Sequence, residues 1–178
     1  MRFSIKYLFL LALPYVFVLN SYAQNQNNFR EIRLSLLPSA AQSKTNTYSL
    51  DNNYYQLGAS ISYFFLPFLA LNTPYSYSKH DDITIHRAGL GPQVSFNFLK
   101  NLFHFDLQSA FQYTNFAKDD KFGLHLGGSI GLKLDRKKTF SIGPFYNFHQ
   151  TFLSGEDYKV HSYGLALHFR NYSDAHMY

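Results

Sequence analysis

The sequence predicts an all-β protein, an eight-stranded antiparallel up-and-down transmembrane β-barrel. Three observations point to it. Beyond Gln24, apolar and polar residues alternate with period two in segment after segment, and no helical period appears. Aromatic residues make up 19% of the chain, 19 Phe and 15 Tyr without a Trp, an enrichment that suits strands and membrane-interface belts. The chain also opens on a segment built for export.

That segment, MRFSIKYLFLLALPYVFVLNSYAQ, has a basic head in Arg2 and Lys6, an apolar stretch from Tyr7 to Leu19, and a small-x-small site at Ser21-Tyr22-Ala23. The apolar stretch is 13 residues and is interrupted by Pro14, whereas a spanning helix needs roughly 20. Residues 1–23 are therefore read as a signal peptide cleaved after Ala23, and residues 24–178 as one barrel domain. With no cysteine, disulfides and an N-terminal lipid anchor through Cys are excluded. Losing Arg2 and Lys6 leaves 14 of 16 basic residues against 11 acids, a formal charge of +3. That charge is dispersed and too weak for a nucleic-acid partner.

Strands are expected at about 29–38, 54–65, 68–78, 83–99, 102–116, 122–134, 139–153 and 159–169. Most reach the roughly 9–11 residues that a tilted spanning strand requires. Pro74 makes the third the weakest. One set of connections comprises Ser39–Asn53, Lys79–Asp82, Ala117–Lys121 and Ser154–Tyr158. The other set, Leu66-Pro67, Lys100-Asn101 and Asp135–Lys138, lies at the same end as both termini. Short turns at one end and generally longer loops at the other are the pattern of an outer-membrane barrel.

The faces separate cleanly. In the fifth strand Phe103, Phe105, Leu107, Phe111 and Tyr113 oppose His104, Asp106, Gln108, Gln112 and Thr114. In the sixth, Phe122, Leu124, Leu126, Ile130 and Leu132 oppose Gly123, His125, Gly127, Ser129, Gly131 and Lys133. The first and fourth strands follow suit. A lipocalin-like barrel would alternate too, with the apolar side inward. Here the polar face is small and glycine-rich, which suits a narrow interior, and the apolar faces carry aromatics over a membrane thickness.

The final strand carries Ser162-x-Gly164-x-x-Leu167-x-Phe169. This resembles the β-signal of bacterial outer-membrane proteins, which implies reading by the barrel-assembly machinery. The whole mature chain resembles small OmpA/OmpX-type barrels, particularly the outer-membrane β-barrel family common in Bacteroidota. The resemblance implies export to the outer membrane of a Gram-negative bacterium, with outer-membrane lipid and lipopolysaccharide as surroundings. One departure is the tail, Arg170 to Tyr178, where many such chains stop at the aromatic residue.

Three groupings are candidates for chemistry. Glu31, Arg33, His104, Asp106, Lys133 and His168 collect on the inward face near the termini, and the expected pairing brings Asp106 close to Leu132 and Lys133. Their opposite charges are expected to pair and plug the lumen, since an eight-stranded interior is just wide enough for side chains. A proton or ion path is the competing reading. Asp81-Asp82, Asp119-Asp120 and Glu156-Asp157 fall in the loops, where they read as solvated tips rather than divalent-cation ligands. His149, Thr151 and Glu156 faintly resemble the base, nucleophile and acid of the lipid A deacylase family. Threonine replaces serine there, and parity turns His149 and Thr151 inward, away from a lipid substrate. No phosphate loop, zinc spacing, nucleotide motif or cofactor signature appears. The expected function is a structural or surface-interaction barrel with a largely plugged lumen. A lipid A-modifying enzyme and a narrow porin-like channel are the alternatives, and the sequence identifies no specific ligand.

Overall fold

The computed structural model describes residues 31–44, 53–80, 83–116, 119–135, 137, 139–152 and 157–172. The expected signal peptide at 1–23 lies outside these residues. Eight strands follow one another: β1 (Glu31–Lys44), β2 (Asn53–Leu66), β3 (Leu69–His80), β4 (Ile83–Phe98), β5 (Phe103–Phe116), β6 (Asp119–Lys133), β7 (Phe140–Phe152) and β8 (Asp157–Tyr172). Each pairs antiparallel with its chain neighbours, and β1 pairs with β8 to close the barrel. No sheet edge is left open, which is what a chain surrounded by lipid requires of its backbone polar groups.

The barrel is inside-out relative to a soluble protein. Outward Leu57, Phe111 and Leu165 are 60%, 58% and 55% exposed, whereas inward Arg33 and Asp106 are 1% and 4% exposed. The alternation that predicts the faces of β1 and β4 to β8 is the alternation observed. Not every aromatic faces outward, however. Tyr54, Phe64, Phe145 and Tyr158 are buried on the inward face.

Two of the expected connections are tighter than predicted, each for a physical reason. β1 does not stop at Pro38 but runs to Lys44. Its last turns alternate with small inward residues, Ser39, Ala41 and Ser43, which fill a narrow interior without an apolar signal. The long loop expected at Ser39–Asn53 therefore contracts to residues 45–52, outside the described set. The β5–β6 connection also contracts, because Phe116 already pairs with Asp119. The tighter hairpin slides the register by three residues from the expected Asp106–Leu132 pairing. Asp106 lies opposite Ser129, and Leu132 opposite Phe103.

Pro74 does not break β3. Each of the four strand prolines keeps one ladder and interrupts the other. Pro38, Pro74, Pro92 and Pro144 pair with Leu57, Ser60, Leu71 and Leu165. On the opposite side, the β1–β8, β3–β4, β4–β5 and β6–β7 ladders each skip the proline. A proline removes a single donor, so it disables one side of a strand and leaves the other intact. Glycine precedes two of these prolines: a Cβ on Gly91 would meet Ser109 O, and one on Gly143 would meet Ile130 O. Both backbones approach their neighbour too closely for a side chain.

The turns at the terminal end are held by specific bonds. Leu99, Lys100 and Asn101 take φ of 50°, 55° and 65°, a left-handed run that only asparagine adopts readily. Leu102 N donates to Leu99 O at 3.1 Å. Lys133 clamps the turn from β6, donating from Nζ to Asn97 Oδ1 at 2.8 Å and to Asn101 Oδ1. Before β7, the Asp135 carboxylate accepts from Thr139 N at 3.0 Å, Thr139 Oγ1 at 2.8 Å and Phe140 N at 2.7 Å. These donors, the Phe140 amide foremost, hold its pKa down at about 2.

Candidate functional site in the barrel lumen

The inward faces of all eight strands converge on one stacked interior, layered from the terminal end to the loop end. The first layer is ionic. Arg33 Nη1 donates to both Asp106 oxygens at 2.8 Å, and its Nε and Nη2 reach Glu31 Oε1 at 3.1 and 2.9 Å. One guanidinium thus spans two carboxylates, with its carbon 4.4 Å from the centre of the Phe64 ring. Arg170 Nε stands 3.8 Å from Glu31. Arg170 therefore belongs to β8 and to this layer rather than to a tail.

His104 and His168 flank the pair. Their rings meet edge to face at 4.9 Å, and Ser35 Oγ bonds His168 Nδ1 at 2.7 Å. His104 Nε2 is 3.3 Å from Asp106 Oδ2 but lacks hydrogen-bond geometry. The contact is therefore electrostatic proximity rather than a bond. The expected neighbour of Asp106 was Lys133. With the register slid, Lys133 lies four residues beyond Ser129, holding the 99–102 turn, and Arg33 is the cation on Asp106.

Ligand atoms of His104, Asp106 and His168 lie within 4.8 Å of one another. The set has metal-binding donor types but the wrong electrostatics. Both Asp106 oxygens already serve Arg33, and Arg33, Arg170 and Lys133 outnumber Glu31 and Asp106 before any dication is added. The residues do not fit a metal.

An inward glycine makes room for this layer. A Cβ on Gly131 would overlap the His104 imidazole. Gly131→Ala is therefore expected to cost about 1–3 kcal/mol through overpacking. In the His104→Ala background the same change should cost much less, read by denaturant titration of detergent-folded protein. Equal costs in both backgrounds would refute the packing account.

Above the ionic layer sits an apolar one of Leu37, Phe145 and Ala166. An amide layer surrounds and follows it: Ser62 donates to Gln93 at 2.6 Å, and Gln108 Nε2 lies 3.2 Å from His125 Nε2 and 3.4 Å from Asn147 Oδ1. Next come His149 and Thr151, with Arg87 at the same level. His149 Nδ1 bonds Gln112 Oε1 at 2.8 Å, and Thr151 Oγ1 bonds Thr114 Oγ1 at 3.2 Å. Both are buried in the lumen, and their described hydrogen bonds run to these partners rather than to each other. Glu156 lies outside the described residues. The mouth is filled by Ala41, Tyr54, Ile85, Tyr158 and Val160. Among the described residues, two cavities between the layers hold about 20 and 10 Å³, each the size of a single water.

The β8 residues singled out in the sequence divide between the faces. Leu167 and Phe169 point outward, while Ser162 and Gly164 point into the lumen. Gly164 has a steric role of its own: a Cβ there would meet Pro38 O and stand 3.2 Å from the Phe145 ring.

No family model and no curated protein matches the sequence. Solved structures do. The chain is similar to Ail, the attachment invasion locus protein of Yersinia pestis, with a TM-score of 0.57 at 14% identity over 80% of this chain and 99% of that one. Neisserial surface protein A aligns with a TM-score of 0.57 at 10% identity, covering 79% and 96%. The N-terminal barrel domain of Pseudomonas aeruginosa OprF aligns at 0.53 and 10%, covering 80% and 100%. At these identities the likeness is one of fold: small eight-stranded outer-membrane barrels.

Proposed function

We propose that this protein is an integral outer-membrane barrel of a Gram-negative bacterium, with a structural or surface-interaction role and a closed lumen. The observation that carries the proposal is the inversion of burial, an ion-paired interior inside an apolar exterior. The filled layers and water-sized cavities support a closed lumen over a channel. The inward burial of His149 and Thr151 supports a non-enzymatic role over lipid A deacylation. Residues 1–23 act as a cleaved export signal, and Ser162, Gly164, Leu167 and Phe169 as the segment read by the assembly machinery. Outward Tyr75 and Tyr77, with exposed Lys79 and Lys159 near the loop end, suit contact with lipopolysaccharide headgroups. One Ail structure holds the heparin analogue sucrose octasulfate, in keeping with a surface-interaction role for a barrel of this shape.

Expressed in a Gram-negative host, the protein should resist alkaline extraction from outer membranes and migrate differently before and after boiling. Planar bilayers should show no steady conductance. Recovery as a soluble periplasmic monomer would overturn the membrane reading, and steady ion-selective current would replace the closed lumen with a channel.

A further inference from the structure

Arg33 and Arg87 are both 1% exposed inside the barrel, yet among the described residues only Arg33 has a carboxylate partner. Arg33 spans Asp106 and Glu31. Among the described residues, Arg87 meets no carboxylate. Its bonded partner is Gln56 Oε1, at a long 3.4 Å, and its guanidinium carbon stands 5.8 Å from the Tyr158 ring. Its Nε and Nη2 donate to nothing. A buried, unpaired charge of this kind is expensive.

The unpartnered polar atoms around it are mostly donors. Ser76 Oγ, directly opposite Arg87 in the β3–β4 ladder, lacks a partner, as does Ser78 Oγ. So do His125 Nδ1 and His149 Nε2, on two rings that meet edge to face at 4.6 Å. Ser76, Arg87, Gln112, His125 and His149 line the cavity of about 10 Å³. The Ser76 hydroxyl, the Arg87 Nε and Nη2 and the His125 Nδ1–H, whose ring accepts from Gln108 at Nε2, are all unspent donors, whereas His149 spends its Nδ1–H on Gln112 Oε1.

We infer that this cavity is a binding site for a small inorganic anion of halide size, held by Arg87 with the Ser76 hydroxyl and the His125 Nδ1–H. An anion supplies the missing counter-charge and accepts from the idle donors together. Size selects its class: a space for one water-scale body admits chloride or bromide, not phosphate or sulfate. The Tyr54, Ile85, Tyr158 and Val160 layer covers the site from the loop end, and the ionic layer closes the other side. The anion is therefore taken up as the barrel folds.

The test is refolding of urea-unfolded full-length mature protein into detergent micelles in gluconate, sulfate, chloride or bromide at equal ionic strength. Chloride and bromide should raise the folded-to-unfolded ratio, by about 100-fold when the anion reaches 100 times its Kd. Sulfate should not share that gain beyond its general stabilising effect. Arg87→Met should lose the halide response and fold better than the parent in gluconate. Crystals grown in bromide should show anomalous density beside Arg87. If Arg87→Met fails to fold, the parent's salt series and the bromide density still decide the matter. Equal stability of the parent in gluconate and chloride would overturn the proposal. So would a halide response retained by Arg87→Met, or bromide density absent from Arg87.

Discussion

Replacing Arg33 with alanine is expected to destabilise the barrel by about 3–5 kcal/mol, the range for breaking a buried ion pair by removing one partner. The cost arises less from the lost bonds than from what stays behind. Asp106 and Glu31 are 4% exposed, and the same guanidinium serves both at 2.8 and 2.9 Å. Arg170, at 3.8 Å from Glu31, offers one of the two carboxylates partial relief. Among the described residues, Asp106 keeps Ser129 Oγ, at 3.5 Å, and the imidazole of His104. Arg33→Lys should recover little, because an ammonium cannot present the fork that holds both acids. A double variant, Arg33→Met with Asp106→Asn, should recover most of the loss, since it removes the pair together and leaves Glu31 facing Arg170. Urea titration of micelle-folded protein reads all three. If Arg33→Ala proves as stable as the parent, the ionic layer is not what holds the terminal half together.

The identity of that partner marks where sequence reasoning stops. Which side each residue faces is a matter of parity, and parity along β1 and β4 to β8 is written plainly in their alternation. Glu31, Arg33, His104, Asp106 and His168 all reach one layer for that reason. Which residue stands opposite which depends instead on hairpin length. The β5–β6 hairpin is shorter than its run of polar residues, Lys118 to Lys121, suggests. Three residues of slip then move Lys133 away from Asp106, while Arg33 approaches from across the lumen, a contact no local pattern encodes. Arg87 and Arg170 were within reach. Arg87 shares the parity of Gln93 and Ser95, and Arg170 that of His168. Extending each alternation beyond its apolar run would have found both. Pro74 misleads because a sequence shows the missing donor but not which of two ladders loses it.

Leu165→Arg and Phe169→Arg should separate the bilayer's demands on β8 from those of the assembly machinery. Leu165 stands midway along the strand, opposite Pro144, and is 55% exposed on the outer face. A cation there belongs at the bilayer midplane, where it costs about 2–4 kcal/mol; near an interface the cost falls to about 0–1 kcal/mol. Phe169 is near the terminal end, paired with Leu34 and with Phe140 at the start of β7. Folded into vesicles from urea, Leu165→Arg should therefore be strongly destabilised and Phe169→Arg nearly normal. In cells the order should reverse in severity if Phe169 is part of a segment read before insertion: Phe169→Arg should fail to reach the outer membrane despite folding in vesicles. Ser162→Ala offers the inward control, because the Ser162 hydroxyl is fully buried without a hydrogen-bond partner and its removal breaks no bond. Gly164→Ala should fail in both settings, since its Cβ would meet Pro38 O whoever assembles the strand. Normal assembly of Phe169→Arg in cells would leave the glycine and aromatic of β8 explained by packing and lipid alone.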